Sequence, residues 1–186
     1  MNLLEEILRS KIKPKAKQTQ LVEAVVRGDI PMNLFMEFFV SASDTDKGTC
    51  ADVIKHISEQ KPELLAPYLD ALFGYIHYRA PRVKWGIPEA IGNLARVYPE
   101  PVAVAIPDLI ENTMENEINT TVIRWCAAYA LAEIAKSNPQ TREQLLPFFE
   151  QVILSETNHG VKNVYLQAIK TIRKQSQLSA KGEGSQ

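Results

Sequence analysis

The sequence is poor in the features that usually announce chemistry. Its two cysteines, Cys50 and Cys126, lie far apart and in no CxxC arrangement. That argues against a disulfide framework or a structural zinc site and favours a reducing compartment. Three histidines, His56, His77 and His159, fall in no metal-ligand spacing, and neither a GxSxG elbow nor a Gly-rich phosphate loop occurs. No apolar run approaches the ~20 residues needed to cross a bilayer. The opening Met1-Asn2-Leu3-Leu4-Glu5-Glu6 puts acids where a secretory signal carries positive charge. The expectation is a cytoplasmic protein with no metal, no cofactor and no membrane contact. An excess of one charge is also missing: the formal net charge of −1 argues against a strongly basic, non-specific nucleic-acid binder, though not against a local basic patch. Sustained period-two alternation, the mark of half-buried strands, is absent too.

What the chain does have is a repeat, visible first in its prolines. Lys61-Pro62-Glu63, Tyr98-Pro99-Glu100 and Asn138-Pro139-Gln140 recur 37 and then 40 residues apart, each between two amphipathic runs. A second set, Pro67, Pro107 and Pro147, is spaced by 40 residues and introduces similar apolar segments. Aligning Ile54, Ile91, Leu131 and Ile169 generates parallel columns: Cys50, Ile87, Ala127, Tyr165; then Val53, Ala90, Ala130, Ala168; then Ile57, Leu94, Ile134, Ile172. Within each segment these positions fall at i, i+3, i+4 and i+7, one apolar stripe of an α-helix. Helices are also expected over residues 2–10, 17–28, 32–40 and 47–60. Residues 177–186 hold too little apolar surface to order themselves and are expected to form a mobile tail.

The stretch Leu145-Leu146-Pro147-Phe148-Phe149, followed by Gly160-Val161-Lys162 and Ala168-Ile169, resembles a HEAT repeat. So does Ile106-Pro107-Asp108-Leu109-Ile110 followed by Val122-Ile123-Arg124 and Ala127-Ala128-Tyr129-Ala130-Leu131, while Val83-Lys84 supplies the aliphatic-basic pair of the preceding unit. The resemblance covers roughly residues 31–176. It implies an all-α, right-handed α-solenoid of stacked antiparallel helix pairs, with second helices lining the concave side. The expected organisation is one domain over residues 1–176, with cap helices in 1–30 and units at 31–60, 61–97, 98–137 and 138–176, ahead of the tail. Stacking is required because a single pair cannot bury its stripe alone.

Two further columns bear on function. Lys47, Lys84, Arg124 and Lys162 form a basic column, which the resemblance implies bonds within or between units. One residue on, Trp85 and Trp125 stand roughly 200° around their helices from Ile87 and Ala127. The adjoining columns contribute Glu89 and Tyr129, Asn93 and Glu133, and Arg96 and Lys136. By the resemblance these eight residues share the concave face, an aromatic centre with carboxylates beside it and a basic edge, and such groupings are enriched at binding hot spots. The competing expectation is that both indoles pack against the next repeat. Pro88 removes a backbone donor inside the helix of Trp85 and is expected to kink it, with Gly86 easing the distortion.

The function expected is a non-catalytic scaffold for a protein or peptide partner. The alternative is a DNA-binding protein or glycosylase similar to the HEAT-like alkylation-repair family. There Trp85 and Glu89 would engage a damaged nucleotide, and Arg82, Lys84, Arg96, Arg124 and Lys136 would contact phosphates. The acidic cluster Asp108, Glu111, Glu115 and Glu117 argues against that alternative. The basic run Arg9, Lys11, Lys13, Lys15, Lys17 is expected to be a solvated cap.

Overall fold

The structure, a computed structural model, describes residues 2–183, with side chains described through residue 178. Every regular element among the described residues is helical. Contacts gather into two compact units, Met1–Leu94 and Ala95–Gln186. The first holds α1 (Leu3–Arg9), α2 (Pro14–Arg27), α3 (Met32–Ser41), α4 (Asp44–Gln60), two 3-10 turns (Pro62–Leu64 and Ala66–Tyr68), α5 (Leu69–Phe73) and α6 (Pro81–Leu94). The second holds α7 (Pro99–Val102), a 3-10 turn (Ala103–Ala105), α8 (Ile106–Glu111), α9 (Thr121–Ser137), α10 (Pro139–Ser155) and α11 (His159–Glu183).

The long helices are those in which the columns were found, and every member of the aligned apolar stripes is buried. Burying each Ile or Leu of a stripe is worth roughly 1.5–3 kcal/mol, enough to set the rotation of each helix. In the first unit α4 and α6 run parallel. Arg82 meets Gly48 and Asp52 near their starts, Gly86 meets Ala51, and Asn93 meets Lys55 and Ser58 near their ends. A Cβ on Gly86 would lie 2.8 Å from the backbone carbonyl of Ala51, so the close approach of these helices requires glycine there. In the second unit Arg142, near the start of α10, donates to the carbonyls of Ala135 and Lys136 and to Gln175 Oε1. That bond set places the carboxyl end of α9 beside the turn of α11 that carries Gln175, with α10 antiparallel to both.

Helix ends are satisfied by side chains in a recurring way. Cations from later residues reach back to the last carbonyls of earlier helices, as donors are needed there. Lys17 donates to Leu8, Lys61 to Val26, and Lys47 to both Phe39 and Val40. At the opposite ends, Asn2, Ser43 and Asn138 accept from backbone amides of the first turn, and Gly28 closes α2 in the left-handed conformation at φ 85°.

Several boundaries differ from the sequence expectation. Helix α2 begins at Pro14, whose missing N–H costs nothing at a first position. Helix α4 begins at Asp44 because Ser43 caps it and Asp44 and Asp46 favour its first turn. The proline-rich first segments of the middle repeats break into 3-10 turns and short helices, since prolines at 62 and 67 and at 99, 101 and 107 remove successive donors. Pro88 sits buried within α6, which continues through it. Helix α11 continues through Gln177 to Glu183 where a tail is expected, as the extension of a helix already nucleated by packing. Residues 184–186 of that expected tail lie outside the described residues.

Candidate functional site

The residues singled out in sequence divide between the units. Trp85, Glu89 and Asn93 stand on α6 in the first. Arg96 in the second follows directly on α6, with Trp125, Tyr129, Glu133 and Lys136 on α9.

In the first unit the polar side chains are engaged internally. Glu89 pairs with Lys55 at 2.9 Å, and the Glu89 side chain is only 16% exposed. Burial lowers the Lys55 pKa, but the hydrogen bond and charge of Glu89 outweigh that and raise it above the ordinary lysine value. Asn93 is buried and donates to Ser58 Oγ at 2.9 Å. Trp85 is half-buried, and its indole N–H is sealed from solvent with no acceptor among the described residues. These three residues tie α6 to α4 or pack on the fold more than they offer a surface.

The second unit is different. Trp125 is 36% exposed, and its indole stacks on the Tyr129 ring with centroids 5.7 Å apart and planes 7° from parallel. Arg96 donates from Nε to Glu133 Oε2 at 3.0 Å and from Nη2 to Tyr129 Oη at 3.4 Å. Lys136, one turn along, forms an ion pair with the other oxygen of Glu133. Glu133 is buried, whereas the Arg96 side chain is 60% exposed. Two cations thus flank one sheltered carboxylate at the tyrosine end of the aromatic pair.

Val122, 46% exposed, was missed in the sequence. It precedes Trp125 and Tyr129 at i, i+3 and i+7, so the three share one face of α9. The signal was available: Val122 falls off the stripe of Ala127, Ala130 and Leu131, yet it is apolar.

The basic column is structural at three of its four positions. Lys47 is buried beneath Phe39, Tyr75 and Tyr78, its ammonium 5.2, 5.3 and 5.4 Å from the ring centres. Arg124 is buried and grips Glu156 with two bonds. Lys84 is buried, and desolvation lowers its pKa. Lys162 is half-exposed. Arg82 is engaged by Asp52 and by Thr49.

Both cysteines are buried, and burial pushes the Cys50 thiol up to about 12, so it is no thiolate at neutral pH. His56 faces Glu59 at 3.1 Å. Among the described residues no group of His, Cys, Asp and Glu is placed to hold a metal ion, and no helix is long and apolar enough to cross a membrane.

No protein-family profile matches the chain, and no curated protein shows a significant match to it.

Proposed function

We propose that the chain is a HEAT-like right-handed α-solenoid that serves as a non-catalytic binding module, holding a protein or peptide partner on the exposed face of its second helices. The observation that carries this reading is the exposed Trp125 stacked on the half-buried Tyr129 beside an ion-paired rim. A large aromatic surface held rigid by stacking presents apolar area at little entropic cost, which is what hot spots do. The parallel course of α4 and α6, and of α9 and α11, supports the solenoid. Trp85, Glu89 and Asn93 contribute by fixing α6 rather than by touching the partner.

The glycosylase-like alternative is weakened by two observations. Glu89, the acid that would engage the damaged nucleotide beside Trp85, is held by Lys55. Two of the residues assigned to phosphates, Lys84 and Arg124, are buried.

The reading is tested by selecting a random displayed peptide library on the purified chain. Enrichment is expected on the unmodified protein and lost on Trp125→Ala and Tyr129→Ala, both with unchanged helicity. Equal enrichment on all three would overturn it.

A further inference from the structure

The exposed face of α9 is ordered along its length. It runs from Val122 through the stacked Trp125 and Tyr129 to the cationic end formed by Arg96 and Lys136. Arg96 and Lys136 share one acid at that end, Glu133, and the acid is the sheltered member of the group. The face is therefore apolar at one end and presents two cations at the other.

Resting on the reading above, we infer that the partner is an acidic peptide segment that lays an apolar side chain on Trp125 and Val122 and sets a carboxylate against Arg96 and Lys136. Spacing constrains the segment. From Trp125 to Glu133 and Lys136, α9 rises about 12–17 Å at 1.5 Å per residue. An extended peptide covers that distance in about four or five residues. The carboxylate thus lies about four or five positions from the apolar anchor.

A single-stranded nucleic acid fits the same face less well. Trp125 and Tyr129 already stack on one another and leave no slot for a base between them.

The test uses the peptides enriched by display on the full chain, resynthesised with a fluorophore and followed by anisotropy. Expected are sequences with Asp or Glu four or five positions from an apolar residue, bound more weakly as salt rises. Arg96→Gln is expected to weaken them about tenfold, with Arg96→Lys recovering most of the loss because charge, not shape, is being read. Replacing the peptide's acid by its amide should cost about as much on the unmodified chain and little further on Arg96→Gln. Binding that needs Trp125 but ignores the acid and Arg96 would overturn the acidic-partner inference while leaving the binding face intact. Enrichment indifferent to Trp125 would overturn the face itself. A fluorescent oligothymidine bound more tightly than any selected peptide, and lost on Trp125→Ala, would replace the peptide by nucleic acid.

Discussion

Arg124 clasps Glu156 through two bonds, Nε to Oε2 at 3.0 Å and Nη2 to Oε1 at 3.2 Å, with both side chains almost sealed from solvent. The same guanidinium donates to the carbonyl of Asn119 at 3.1 Å and meets Glu115 at 3.4 Å. The start of α9 is thereby bound to the turn between α10 and α11. Removing one partner strands a buried charge, so Glu156→Ala is expected to cost about 3–5 kcal/mol. Replacing the pair by Met and Leu together should recover most of that. Urea denaturation of the parent and the two variants checks the ordering, and equal stability of Glu156→Ala and the parent would contradict it.

The same pair makes a prediction about pH. Burial raises the Glu156 pKa, but the hydrogen bonds from Arg124 and the Asn158 amide, with the guanidinium charge, outweigh it and hold the carboxyl below its ordinary value. A depressed carboxylate pKa adds stability that is fully present above the unfolded value, about 4.3 for glutamate. It is lost as pH falls through the lower folded value. Stability should therefore decline below about pH 5, with a smaller decline in Glu156→Gln. Parallel acid profiles of the two proteins would show that this pair is not responsible.

Gly86 supplies a steric test of the α4 and α6 contact. Alanine there gains roughly 0.5–1 kcal/mol of helix propensity. It also drives a methyl against the Ala51 backbone at 2.8 Å, which cannot swing away. Overpacking of this kind costs about 1–3 kcal/mol, so Gly86→Ala should lower the melting temperature. Gly48→Ala, whose nearest neighbour is the Arg82 side chain, should be milder.

The two tryptophans should report different surroundings. Trp85→Phe, which leaves Trp125, is expected to give red-shifted emission readily quenched by acrylamide. Trp125→Phe should give the blue-shifted, protected signal of Trp85. Because Trp85 buries an unpaired N–H, its replacement by Phe also removes a desolvated donor and should be well tolerated. Indistinguishable quenching would contradict the difference in exposure on which the binding face depends.

The apolar stripes could be read from the sequence because they depend on helical period alone. Val53, Ala90, Ala130 and Ala168 fall inward whatever else the chain does. The fate of the polar columns could not, because it depends largely on partners more than 30 positions away, such as Lys55 for Glu89 and Arg96 for Glu133. Glu89 and Glu133 stand in adjacent columns, yet one is taken by Lys55 and the other by Arg96 and Lys136. The segments around Pro67 and Pro107 were placed but not resolved into 3-10 turns, since how a chain absorbs two close prolines is settled by what it packs against. Val122 was overlooked for the opposite reason: an exposed valine carries no signal until its neighbours on the same face are known to be exposed as well.

The most direct measurement is of the two indole N–H signals in the nitrogen-15 NMR spectrum while a selected acidic peptide is titrated in. The account predicts that the Trp125 indole shifts and saturates with the peptide while the Trp85 indole stays in place, and that Arg96→Gln weakens the titration. Movement of Trp85 alone, or of neither indole at saturating peptide, would contradict it.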